Sequence, residues 1–219
     1  MVTAVRSFFK YNDLPLGHIP EVRAYVRYHN RDIDKKEIAD ILSVSHPRDR
    51  AFFAFMAQSG LRPTTLCKLR FKHIQRDFSS DTVPCQIDVP REIAKGKYQG
   101  YFTFIGPEAF RYLRNYLKTR DQLQPESYLF TKHGTEDPTT YSNMSIRFRK
   151  TALKLRKKGI LQFTQEAIRK PSEIRLYSLR KFFRKYANQA GFEFVQFWMG
   201  HVVKAGQEEE RAAFTIEEN

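Results

Sequence analysis

Arg175-Leu176-Tyr177-Ser178-Leu179-Arg180-Lys181-Phe182-Phe183-Arg184 opens the most informative helix of the chain. Ser178 can cap it, and Leu179, Phe182, Phe183, Tyr186 and Ala190 recur at helical spacing as a buried stripe. Gly191 stops it. The spacing leaves Arg180, Lys181 and Arg184 near the helix start on the other side. A short helix over about Glu193–Met199 follows and ends in Trp198-Met199-Gly200-His201. Upstream, Ser59-Gly60-Leu61-Arg62-Pro63-Thr64-Thr65-Leu66-Cys67-Lys68-Leu69 repeats the device of an arginine at a helix start. Gly60 ends a buried helix over Arg48–Gln58 that carries Phe52, Phe55 and Met56. Pro63 at a first helical position makes Arg62 the N-cap.

The remaining chain frames these boxes. Residues 3–11 read as a helix end, Asn12 to Gly17 as a turn, and an irregular connector runs through Pro20, with a domain boundary between about 18 and 33. Asp34, with Glu37 three residues on, forms a capping box for a helix to about Leu42. Three strand-like runs, Leu69–Ile74, Cys85–Val89 and Tyr101–Ile105, predict a small antiparallel sheet, with Lys95-Gly96-Lys97 as a hairpin-like turn in the last pair. Helices resume at Pro107–Leu117 and at about Asn143–Lys158. The fold class is therefore mainly α with a small three-stranded antiparallel β-sheet.

Bulk charge narrows the partner. Thirty-eight Lys and Arg face 24 Asp and Glu, a formal net charge of +14 over 219 residues. Such an excess suits a polyanion, because each neutralised phosphate releases condensed counterions. The basic helix from Asn143 to Lys158, with Arg147 and Lys150 on it, is the candidate for lying against DNA; a solvated basic face is the alternative. Cys67 and Cys85 lack ligand spacing and read as buried thiols of a reducing compartment. No apolar run approaches the roughly 18 residues of a membrane span, and the first residues are too broken by charge for a signal peptide. The expected location is the cytoplasm or nucleoid. Neither a cluster of acids spaced for two metals nor a Gly-rich phosphate loop occurs, so no metal or cofactor is expected.

Two guanidiniums meeting on one phosphodiester would offset the charge that builds on its non-bridging oxygens, and arginine does this with parallel donors. Arg62 and Arg180 are the candidates. His201 can donate to a phosphate oxygen or shuttle a proton. Lys95 can reach a leaving 5′ oxygen as general acid; nothing local decides between it and Lys97. Strand cleavage without metal then needs a protein nucleophile.

In this order, the boxes resemble those of the tyrosine recombinases, the integrase family. Ser59–Leu69 is similar to the first arginine box, Tyr177-Ser-Leu-Arg180-Lys-Phe-Phe to the second, and Trp198-Met-Gly-His201 to the Leu-Gly-His that follows, while Lys95 falls on the hairpin of the family's lysine. The resemblance spans roughly residues 34 to 201. It implies a domain that clamps the scissile phosphate with Arg62 and Arg180, protonates the leaving oxygen with Lys95 and hydrogen-bonds the phosphate with His201. It also implies double-stranded DNA as partner and a homo-oligomer, a tetramer when two sites synapse. Residues 1–30 would hold the last helix of a core-binding domain and its linker, and 31–219 the catalytic domain with a C-terminal tail. Lys97, Arg147, Lys150, Lys181 and Arg184 would contact DNA.

Three departures stand out. Thr65 occupies a position that is usually acidic, Tyr177 replaces the first histidine of the second box, and Lys181 replaces the second. The nucleophile is the gravest. The family places a tyrosine ten residues or more beyond His201, yet none follows Tyr186 here. Phe214 or Ala213 stands in the expected window, or the tyrosine lies outside this chain. Two neighbouring readings share features with this one: a type IB topoisomerase, and a non-catalytic integrase-like DNA-binding protein.

Overall fold

The computed structural model describes residues 2–15, 17, 31–96, 99–120, 122–162 and 173–201. Its elements in chain order are α1 (Val2–Tyr11), α2 (Lys35–Ser43), α3 (Pro47–Ser59), α4 (Pro63–Leu66), α5 (Gln75–Ser79), β1 (Cys85–Val89), β2 (Tyr101–Ile105), α6 (Pro107–Leu117), α7 (Tyr141–Lys157), α8 (Ser178–Ala187) and α9 (Phe192–Trp198). A 3₁₀ turn, Asn188–Ala190, separates the last two helices. The expected helices are present, with α6 matching at both ends and α2 starting on the Asp34–Glu37 capping box.

α3 is the axis of the core. Phe52, Phe53, Phe55 and Met56 are all fully buried, on every side of the helix rather than one. Such a helix needs neighbours all round. α6, α8, α2, α7 and β2 supply them, and edge-to-face rings lock the contacts, Phe52 on Phe130 and Phe53 on Phe148 at 5.1 Å between centroids. α7 buries Met144, Phe148, Ala152 and Leu155 along one stripe. Its Arg149, Lys150, Lys154, Lys157 and Lys158 face solvent.

The sheet has two described strands, not three. β1 and β2 pair antiparallel with Cys85 opposite Ile105 and Val89 opposite Tyr101. The expected strand over 69–74 shrinks to one bridge between Arg70 and Tyr128, and Phe71–His73 turns into 3₁₀ helix. The physical reason is local: the His73 ring accepts the Arg70 backbone N–H at 3.0 Å, taking a donor that a ladder would need. β1 and β2 are consecutive antiparallel strands, as expected; of the turn expected between them, Lys95 and Gly96 are described and Lys97 lies outside the described residues.

Both cysteines are buried and free, and burial pushes each thiol up to about 12. No helix among the described residues is long and apolar enough to cross a membrane.

Candidate active site

Two helix ends build the site. α3 stops at Gly60, whose φ of 65° is left-handed and whose N–H returns to Met56 O. A Cβ there would sit 2.2 Å from the Phe183 ring, so space and backbone alike require glycine. α9 stops at Gly200 in the same way. With φ at 64°, the His201 N–H reaches back to Gln196 O and the Gly200 N–H to Phe197 O. These two bonds are those of a Schellman stop, which is why Gly precedes His in this box. Rings then dock α9 on β2, Phe197 on Phe102 at 5.0 Å and Trp198 on Phe104 at 6.3 Å.

Arg180 fills the space between these ends. It is 1% exposed, the largest fully buried side chain described, which corrects the expectation that it lies opposite the buried stripe. Its Nη1 donates to Gly60 O, and its Nη2 to Met199 O at 2.8 Å. Both carbonyls stand at helix C-termini, where the backbone dipole is negative, so two helix ends serve where a carboxylate would otherwise be needed. No ion pair joins Arg180 to a described carboxylate, and its Nε has no hydrogen-bond partner. Burial, with Arg62 beside it, pulls the guanidinium down to about 10. An arginine stays charged at neutral pH even so. The result is a buried cation without a counter-ion among the described residues.

Arg62 stands at the start of α4 with extended backbone, φ −68° and ψ 138°, as a residue before proline must. It is half-buried, and its side chain makes no hydrogen bond or ion pair to a described residue. Its charge acts on Arg180, His201 and Tyr101 alike. His201 Nε2 lies 2.9 Å from Arg180 Nη2, and its Nδ1 donates to Gln196 Oε1 at 2.5 Å. That leaves Nε2 as acceptor toward the arginine, so the ring is neutral. Burial first, then Arg180, Arg62, Arg184 and Lys95, hold its pKa down to about 4.

Lys95 is exposed on the β1–β2 connection and lines a small recess with Ala94, Gln99, Tyr101, Phe197, Gly200 and His201. The recess holds about 20 Å³, enough for one water-sized group. Thr65, buried at the usually acidic position, has its hydroxyl 3.5 Å from Ile93 O on that same connection. Tyr177 precedes α8, is 39% exposed and stands near enough to Arg180 to support its charge. Ser178, read as the cap, is buried instead and accepts from Arg175 N at 3.1 Å; Tyr177 is the N-cap.

Among the expected DNA contacts, Lys150, Lys181 and Arg184 are exposed. Arg147 is not a free surface cation: its Nε pairs with Asp49, which also holds Arg48. Lys97, Phe214 and Ala213 lie outside the described residues. Sequence reasoning missed Tyr101, Gln196 and the carbonyls of Gly60 and Met199. Only the two glycines signalled the carbonyls; Gln196 and Tyr101 carried no local signal. No group of metal-ligating side chains occurs among the described residues.

Taken together, Lys95 and His201 line one recess, Arg180 meets the His201 ring behind it, and the charge of Arg62 acts on both Arg180 and His201. That arrangement suits a tetrahedral oxyanion. The model of the phage integrase family matches residues 31–205. Among solved structures, the XerA recombinase is similar with 19% identity and a TM-score of 0.61, over 100% of this chain and 74% of that one. The Tn1549 transposon integrase in complex with circular intermediate DNA is similar with 16% identity and a TM-score of 0.63, over 97% of this chain and 75% of that one. A lambda integrase dimer bound to a COC′ core site shares 16% identity with a TM-score of 0.61, over 95% of this chain and 56% of that one. No curated protein sequence matches. The chain belongs to the phage integrase family, the tyrosine recombinases.

Proposed function

We propose that this protein is a site-specific DNA recombinase or integrase whose chemistry is strand cleavage and rejoining through a 3′-phosphotyrosine, without ATP or metal. One observation carries the reading: Arg180 is buried with no carboxylate among the described residues, beside an equally unpaired Arg62. Burying a guanidinium without a counter-charge costs several kcal/mol, a cost that makes sense where a phosphate is the missing partner. Arg62 and Arg180 grip the non-bridging oxygens. Lys95 protonates the leaving 5′ oxygen. His201, neutral in the empty site, gains a proton or turns its Nε2 as the phosphate arrives. Tyr177, near Arg180, supports its charge in place of an imidazole.

On this reading residues 1–30 belong to the end of a core-binding domain and its linker, and 31–219 to the catalytic domain with its tail. The protein works on double-stranded DNA in the cytoplasm or nucleoid, as a homo-oligomer and as a tetramer across two paired sites. Because no tyrosine follows Tyr186 in the sequence, the chain as written binds DNA without forming the covalent link. A second reading is a non-catalytic integrase-like DNA-binding protein. Phe214→Tyr and Ala213→Tyr variants, offered a nicked suicide duplex of the cognate site, separate the two. A covalent protein–DNA band from either supports the recombinase; duplex binding with no band from both variants supports the non-catalytic protein.

A further inference from the structure

Tyr101 has a place in this pocket and no assigned part in its chemistry. It opens β2 opposite Val89, and its ring lies against the left-handed Gly200. A Cβ on Gly200 would come within 2.5 Å of the ring and 2.8 Å of the hydroxyl oxygen. The hydroxyl is therefore held beside the backbone that presents His201. The ring lines the recess shared with Lys95 and His201. Charge on Arg62 and on Arg180 acts on the phenol. Yet the hydroxyl makes no hydrogen bond to a described residue. Half-buried phenols ordinarily find a partner, and this one lines the recess beside Lys95 and His201, within reach of the charge on both guanidiniums.

We propose that Tyr101 is a direct ligand of the bound phosphate, donating its hydroxyl proton to a non-bridging oxygen alongside Arg62 and Arg180. This rests on reading the pocket as a phosphate site. Burial pushes the phenol above its ordinary value of 10, so it keeps its proton at neutral pH and remains a donor. A neutral donor adds a hydrogen bond where a third guanidinium would add repulsion. The bland role, a ring that only packs on Gly200, requires the phenyl and not the hydroxyl.

Inorganic phosphate titrated into the full chain, followed through the imidazole ¹⁵N signals of His201, tests the assignment. The unmodified chain should saturate, Arg180→Lys should lose the response, and Tyr101→Phe should weaken binding about tenfold, the effect of one hydrogen bond to a charged group. Wild-type affinity in Tyr101→Phe overturns the role of Tyr101 and leaves the pocket standing. No response in the unmodified chain overturns the pocket and the assignment together. Should Tyr101→Phe fail to fold, 3-fluorotyrosine placed at Tyr101 reports in its stead. Its ¹⁹F resonance should follow the His201 isotherm, and an unmoved resonance at saturation overturns the proposal.

Discussion

The two ends of α3 each hold arginines, and they hold them differently. At the N-terminal end Arg48 and Arg147 share one buried carboxylate, Asp49, with Arg48 and Asp49 side chains only 8% and 5% exposed. At the C-terminal end Arg180 is buried more deeply still, at 1%, and meets two carbonyls and an imidazole. The first arrangement is closed: a buried carboxylate of the chain pairs with both guanidiniums. The second is open: no carboxylate among the described residues balances it. On the proposed reading, one helix thus separates arginines that hold the fold from arginines that take a phosphate, about 20 Å apart by helical rise.

The sharpest way to break this comparison is to remove the partner at each end. Asp49→Ala strands a buried guanidinium and should cost about 3–5 kcal/mol in urea unfolding. Arg180→Met should change stability by no more than about 1 kcal/mol. The lost carbonyl bonds are offset by the desolvation no longer incurred, while phosphate binding disappears. Comparable losses at both ends would mean that Arg180 is merely structural.

Next in size are the helix stops. Gly60→Ala and Gly200→Ala force a side chain into left-handed backbone, against Phe183 and Tyr101 respectively. Each should cost about 1–3 kcal/mol. Each should also weaken phosphate binding, because the carbonyls on Arg180 move with the stop.

A smaller effect separates the basic surfaces. Lys150→Ala should lower the slope of log affinity for duplex DNA against log salt by about 0.9. Arg147→Ala should lower it by less, since Asp49 already holds that guanidinium. Equal slopes would place Arg147 on the DNA after all.

The smallest concerns pH. Folded His201 is held to about 4 against an ordinary 6.5, so between those values the unfolded ring binds the proton and the folded one does not. Stability contributed by the neutral ring is present above about 6.5 and is lost as pH falls toward 4. His201→Gln should flatten that part of the pH–stability curve; an unchanged curve would show that His201 is not held neutral.

Much of this was legible in the residues. Proline and glycine marked the start of α6, the break between α3 and α4, and the end of α9, because their backbone limits act locally. The capping box at Asp34 is equally local. Arg180 was placed on the wrong side of α8. Helical spacing ranks a side chain by its neighbours' polarity, and nothing in residues 178–190 tells that two distant helix C-termini converge to receive a guanidinium. Tyr101 and Gln196 were silent for the same reason. The third strand failed on a side chain: the alternation of Leu69 and Phe71 fits a strand, but the His73 ring takes the Arg70 N–H. Nothing local in the sequence singles out Asp49, so its claim on Arg147 in α7 could not be foreseen.

A crystal structure of the full chain on a DNA duplex is the direct test of the open end. The account predicts one backbone phosphate within hydrogen-bond distance of both Arg62 and Arg180, with His201 and Lys95 at its rim. A duplex seated on α7 alone, with the Arg180 guanidinium still bonded only to Gly60, Met199 and His201 and no phosphate in reach, would contradict it.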